Sequence, residues 1–351
     1  MKAKVPQLNP CYNVFTGPDS ALNRLDPTLH SPTSLVELCD PSINPYPRSI
    51  RAFAKVMGET ATGSLKLCPT MEWFKEAERF GWFFGVDEVV IVSSGNAGVN
   101  AAILALRFGL KRARVFMPST AALEKQQLVA FYGGTVVIVY EEPGHTARDA
   151  ARIYVAQHPG CLLYDQYADP RNWLGHYNHT ITQIWQQLAI LGLSDPDAIL
   201  IPAGTTGCLM AAKEFCRKHG LDTTIIAVLA EEGEQIFAVR PESRLGAEHI
   251  GFTTWHVDVQ KIKVKSCDAR CDTVALARSE GIGCGMSGGA TITALRHVIH
   301  SIMEPEESCG LVLPHKNSPA PYLVVAVLGD NIDAYLGSFE ELLSTSLSPA
   351  L

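Results

Sequence analysis

EVVIVSSGNAGVNAAILALRFGLKRARVFM, residues 88–117, opens with an apolar, β-branched run, turns through six small or polar residues, and continues into a helical pattern before a second apolar run. The spacing predicts a strand over Glu88–Ser93, a helix over Val99–Phe108 and a strand over Arg114–Met117. The first strand is continuously apolar rather than alternating, as expected of a parallel strand covered on both faces. Outward from this unit the alternation repeats. Further strands are predicted at Thr135–Tyr140, Cys161–Tyr164, Ala198–Pro202, Thr224–Leu229 and Leu323–Leu328, and helices at Ala121–Phe131, Thr146–Gln157, Trp173–Leu191, Leu209–His219, Cys267–Ser279 and Ala290–Ile302. Strands alternating with helices imply an α/β protein with mostly parallel sheets.

The chain has 351 residues, 47% of them hydrophobic, and a formal net charge of −7. That length suggests about two domains of roughly 100–200 residues each. No Lys/Arg block stands out, which argues against a nucleic-acid surface. No apolar run reaches the ~20 residues of a membrane helix, and the polar N-terminus lacks an apolar signal core. The expectation is a soluble, cytoplasmic protein. The ten cysteines are scattered and read as reduced thiols. Cys267 and Cys271 read as neighbours on one helix face, and no metal site is expected.

In parallel α/β sheets, ligands gather at strand-to-helix turns. Three such turns are rich in small residues: Ser93-Ser94-Gly95-Asn96-Ala97-Gly98, Gly204-Thr205-Thr206-Gly207 and Gly285-Met286-Ser287-Gly288-Gly289-Ala290. Small residues let a ligand approach the backbone, and helix N-termini attract carboxylates and phosphates. Each loop alone reads equally as an ordinary helix start. Lys66, in Thr62-Gly63-Ser64-Leu65-Lys66 before the amphipathic stretch Pro69–Phe80, alone reads as a surface lysine.

In order, these pieces resemble the cysteine synthase and cystathionine β-synthase family, fold type II of the pyridoxal-phosphate (PLP) enzymes. The resemblance runs from about Ser31 to Leu336. Ser31–Leu38 is similar to the family's "TPLVRL" strand, Ala54–Thr60 to its "AKLE" strand, and Thr60–Lys66 to "NPxGSVK". Asn96 stands thirty positions after Lys66 in a segment like "TSGNTG", and Leu328–Asn331 with Tyr335-Leu336 resembles the final strand. Asn44–Arg51 also resembles the lysine motif, but ends in an arginine, whose guanidinium cannot be deprotonated to attack an aldehyde. It is read as a Pro-rich loop between the first two strands.

The resemblance implies two three-layer αβα domains with PLP in the cleft between them. Residues 1–58 and 171–351 would form the larger, cofactor-binding domain and 59–170 a smaller, mobile substrate domain. It implies Lys66 as the catalytic, cofactor-anchoring lysine, Asn96 at the ring hydroxyl, Gly204, Thr205, Thr206 and Gly207 at the phosphate, and Ser287 at the pyridine nitrogen. Ser93, Ser94, Gly95, Ala97 and Gln166 would hold the substrate carboxylate, and His249 would read the substrate or nucleophile. The implied reaction is β-replacement on serine or an O-acetyl- or O-phosphoserine through an α-aminoacrylate, adding a small sulfur or amine nucleophile, in a homodimer. A β-eliminating dehydratase and an inactive relative serving as a binding protein are the alternatives. Leu67-Cys68 after the lysine, Thr60-Ala61 before it, Ala97 in place of a threonine and His249 in place of a glycine depart from the family pattern.

Overall fold

A computed structural model describes residues 13–142, 144–247, 259–307, 311, 313 and 320–339. In chain order they form α1 (Ser20–Asn23), β1 (Leu35–Glu37), β2 (Ile50–Val56), α2 (Leu67–Arg79), β3 (Glu88–Val92), α3 (Asn96–Arg107), β4 (Arg112–Pro118), α4 (Leu123–Phe131), β5 (Thr135–Val139), α5 (Ala147–Gln157) and β6 (Cys161–Tyr164). Then follow α6 (Arg171–Gly175), a π-helical turn (His176–Ile181), α7 (Thr182–Ile190), β7 (Ala198–Pro202), α8 (Gly207–His219), β8 (Thr224–Ala230), α9 (Glu242–Ala247), β9 (Gln260–Val264), α10 (Ser266–Ser279), α11 (Met286–Met303) and β10 (Tyr322–Leu328).

The strands make two sheets. One runs β1-β2-β10-β7-β8-β9, parallel except for β1, which pairs antiparallel to β2; the other runs β5-β4-β3-β6, all parallel. Both have helices on both faces. In the larger sheet, alternate residues of β2 divide between two cores. Ile50, Ala52, Ala54 and Val56 pack with α10 and α11, and Phe53 packs with α7 and α8. In the smaller sheet, Val89 and Ile91 meet α2 and α3, while Val90 meets α5. This two-faced burial explains the continuous apolar runs. The architecture is the three-layer α/β fold expected from the sequence.

All seven strands expected from periodicity are present. β9 was not among them: in Gln260-Lys261-Ile262-Lys263-Val264 only alternate residues are buried, because it is an edge strand with one solvated face. Asn44, fully buried, donates from Nδ2 to the Ile50 carbonyl in the β1–β2 loop. Arg51 lies within β2, paired with Glu37 on β1 at 2.6 Å, so this register is structural.

Candidate active site

Each sheet has one point where strand order reverses. In the smaller sheet β3 has β4 on one side and β6 on the other; in the larger, β7 stands between β8 and β10. The crevice beyond such a reversal is where open α/β sheets bind ligands. The loop Ser93–Gly98 follows β3, Gln166 follows β6, Gly204–Gly207 follows β7 and Asp330 follows β10. The chain has therefore placed two of its three unusual turns at its switch points; the third, Gly285–Ala290, joins α10 to α11 and follows no strand, contrary to the expectation.

Lys66 caps the N-terminus of α2. Residues 63–65 are clipped to the end of β10: Leu65 N–H donates to the Gly329 carbonyl (2.7 Å), and Asn331 N–H to that of Gly63 (3.0 Å). Ser64 Oγ donates to Asp330 Oδ1 (2.6 Å) and accepts from Lys66 N–H (3.1 Å). The clip aims Lys66 at the phosphate-like loop, where Nζ donates to Thr205 Oγ1 at 3.3 Å. Burial pushes the Lys66 ammonium below its ordinary value, aided by the Arg240 charge and opposed by Asp330 and Cys208. A nucleophilic amine needs this bias towards its neutral form.

One small cavity is lined by Lys66, Gly204, Thr205, Thr206 and Ser287. Gly204 and Thr205 follow β7, Thr206 is the N-cap of α8, and Ser287 lies in the first turn of α11. The helices begin earlier than periodicity suggested: Asn96, Gly207 and Ser287 are inside first turns rather than before them. Helix starts of this kind carry N–H groups without intrahelical partners, which is where an anion is favoured. A larger cavity, lined by His30, Thr33, Glu59, Cys68 and Gln183, lies apart from Lys66.

The cradle has features that fit a phosphate. Thr206 sits at φ +63°, left-handed backbone that a β-branched residue rarely adopts. Its buried Oγ1 has no protein partner, and neither does Nδ2 of the fully buried Asn172 beneath it. Buried polar groups are rarely left so, and an anion at the helix start would satisfy them. Replacing Thr206 with glycine should hold or raise the melting temperature of the cofactor-free protein, because it relieves left-handed strain of about 1–2 kcal/mol. The same change should weaken PLP binding, so calorimetry and a PLP titration should move in opposite directions.

The other expected residues are placed less uniformly. Ser93 is buried, and its Oγ accepts from the N–H groups of Gly95 (3.2 Å) and Gly98 (3.0 Å), which commits it to shaping its own loop. Ser94 is exposed, and Ala97 is buried in the first turn of α3. Gln166, buried, donates from Nε2 to the Val92 carbonyl at 2.7 Å, which holds its amide against the end of β3. Asn96 does not line the Lys66 cavity; it joins the Lys66 clip through Tyr335, to whose hydroxyl its Nδ2 donates at 3.2 Å. His249 lies outside the described residues.

Sequence reasoning gave no role to several residues that the fold brings to this site. Asn172 accepts from Thr205 Oγ1 at 3.3 Å. His176 is fully buried in the π-helical turn, and burial, with Lys66 and His179 nearby, holds its imidazole well below the ordinary range. Tyr335 donates to Asp330 Oδ2 at 2.7 Å, and Lys125 reaches Asn96. The resemblance to the family's final strand covers Asp330 and Tyr335 but assigned them no role.

A buried lysine aimed at an anion cradle, at the switch points of two parallel sheets, defines a PLP-dependent enzyme of fold type II. The chain belongs to the pyridoxal-phosphate dependent enzyme family, whose pattern it matches over residues 28–315, and within it to the cysteine synthases. It is 32% identical over 246 residues to cysteine synthase B of Escherichia coli (strain K12), covering 69% of this chain and 78% of that protein. Cysteine synthase B of Pseudomonas aeruginosa is 27% identical over 287 residues, covering 81% and 87%. Among solved structures, O-ureido-L-serine synthase superposes with a TM-score of 0.75 at 21% identity, covering 94% of this chain and 96% of that one. O-acetyl serine sulfhydrylase isoform 3 from Entamoeba histolytica gives 0.75 at 21% identity, covering 98% and 95%. These two likenesses speak to the fold.

Proposed function

We propose that the protein replaces the β-substituent of serine, or of serine whose oxygen carries an acetyl or phosphoryl group, with a sulfur or amine nucleophile. The observation that carries this reading is the grouping of Lys66, the Gly204–Thr206 cradle and the Ser287 hydroxyl around one cavity. When bound, PLP supplies an aldehyde for amines and a conjugated ring that withdraws electrons from Cα. Lys66 would anchor it, and Gly204, Thr205, Thr206 and Gly207 would hold its phosphate. Asn96 would donate to its ring oxygen. Ser287 would offer the ring nitrogen a neutral hydroxyl, where a carboxylate would keep that nitrogen protonated. The weaker electron demand that results suits rapid loss of a β-substituent.

Ser94, the backbone N–H of Ala97, and Gln166 orient the substrate carboxylate at the N-terminus of α3, with Ser93 and Gly95 holding that loop in shape. Lys66 then takes the Cα proton and returns a proton to the departing β-oxygen. In this reading residues 59–170 close over the substrate against the rest of the chain, and the enzyme works as a cytoplasmic homodimer. The cysteine synthase B relatives and the serine derivatives in the names of the structural neighbours support the substrate class.

The test supplies O-acetylserine or O-phosphoserine to the holoenzyme with sulfide, thiols or amines in turn, and measures product mass. One nucleophile should be incorporated and should accelerate consumption of the serine derivative. Pyruvate and ammonia released at the full rate without any nucleophile would instead establish an eliminating lyase.

A further inference from the structure

We propose that Lys125 is a positioning residue that locks the Asn96 amide with its N–H groups toward Tyr335 and the cleft, and lends its positive charge through that amide to the cofactor's ring oxygen. This rests on the PLP reading above. Lys125 sits on α4, in the smaller-sheet half, yet it is only 3% exposed. Its stem passes across the backbone of Gly95, where an added Cβ would lie 3.7 Å from Lys125 Cγ. Its Nζ donates to Asn96 Oδ1 at 2.7 Å and stands 4.0 Å from the centre of the Tyr335 ring.

An ammonium has donors and no acceptor, whereas an amide has one face of each kind. With Lys125 at Oδ1, turning the Asn96 amide over would set two donors against each other in a buried site. Nδ2 must therefore face the other way, towards the Tyr335 hydroxyl. That hydroxyl is itself oriented, since it donates to Asp330 Oδ2. Burial, with Asp330 beside it, holds the Tyr335 phenol well above its ordinary value, so it stays protonated. The donors run in one direction, from Lys125 to Asn96 to Tyr335 to Asp330. Tyr335 uses one of the two Nδ2 hydrogens, and the second remains for an acceptor in the cleft.

The charged groups facing Lys125 are Asp330, beyond β10, and Glu124 on its own helix; Tyr335 faces it as a neutral ring. Burial brings Lys125 down to about 8, with Asp330 and Glu124 opposing the fall, so the side chain carries its charge at neutral pH. A buried cation polarises the amide it touches, which makes Nδ2 a stronger donor to a negatively charged oxygen.

The experiment compares holoenzymes carrying Lys125→Arg, Lys125→Gln and Lys125→Met with wild type. It reads the pH midpoint and position of the visible cofactor band, the PLP dissociation constant from titration of the cofactor-free protein, and the melting temperature. Arg should stay within about threefold of wild type in PLP affinity. Gln, which keeps a donor without the charge and is the better tolerated variant, should fall between Arg and Met. Met should bind PLP at least tenfold more weakly and move the band's pH midpoint up by about one unit. Wild-type band, midpoint and affinity in both Gln and Met, whatever their melting temperatures, overturn the proposal while leaving the PLP reading intact. A wild-type protein with no Lys66-dependent band overturns both.

Discussion

Lys66→Ala should abolish the visible band of bound PLP and cut turnover by more than the ~10²–10⁴-fold that a single positioned acid–base group contributes. In the proposed function one side chain serves as both anchor and proton carrier, so the loss should exceed that range. Among the described residues no neighbour can substitute. Arg240 carries a guanidinium, which offers donors and no acceptor, and it is occupied in donating to the Tyr167 hydroxyl at 2.8 Å. His176 is buried and kept neutral. Lys55, also fully buried and brought down to about 7, spends its three hydrogens on the Thr33 carbonyl, Gln183 and Gln187 at 2.7–2.9 Å. Absorbance spectra and steady-state rates of the purified variant decide the matter. A visible band that survives the substitution removes Lys66 from the chemistry.

Gly207→Ala should be the most damaging small substitution in the site. A Cβ at residue 207 would stand 1.8 Å from Asn172 Oδ1 and 2.9 Å from its Cγ. Asn172 cannot swing aside: it is wholly buried, and the oxygen in question accepts from Thr205 Oγ1. Either α8 backs away from α6, which carries Asn172, or the Gly204–Gly207 loop opens. Overpacking of this kind costs about 1–3 kcal/mol, which corresponds to a fall in melting temperature of roughly 2–4 °C per kcal/mol in a mid-sized domain. PLP affinity should fall further than stability, because in the proposed function the displaced group underlies the loop that holds the phosphate. Differential scanning calorimetry with and without PLP reads both effects. A Gly207→Ala variant with wild-type melting temperature and affinity would show that Asn172 yields freely and that the cradle is not set by this contact.

Most of the frame was legible locally. Apolar runs such as Val89–Val92 and Ile199–Ile201 read as buried parallel strands, because burial on both faces leaves no polar alternation. β9 escaped because its solvated edge carries lysines at alternate positions. The three glycine- and serine-rich turns were visible as helix starts, but their boundaries were set too late. Small residues read as loop, although the first helical turn tolerates them well and only its hydrogen bonding reveals where the helix begins. The π-helical turn at 176–181 left no trace in composition, and the continuous helix expected over Trp173–Leu191 is divided there.

Strand periodicity by itself set the α/β frame. The order of Lys66, Asn96 and two more small-residue helix starts pointed to the cofactor chemistry through resemblance to a known family. Tertiary structure alone decided which side chains complete the site. Asp330 meets Ser64 across 266 positions of chain, and Tyr335 meets Asn96 across 239. Lys125 on α4 becomes a buried cation only because the chain folds Gly95, Asn96 and Tyr335 around it. Periodicity records which face of an element is dry, and that is a local property. The charge state and orientation of a polar group depend on partners that only the folded chain brings within hydrogen-bond distance.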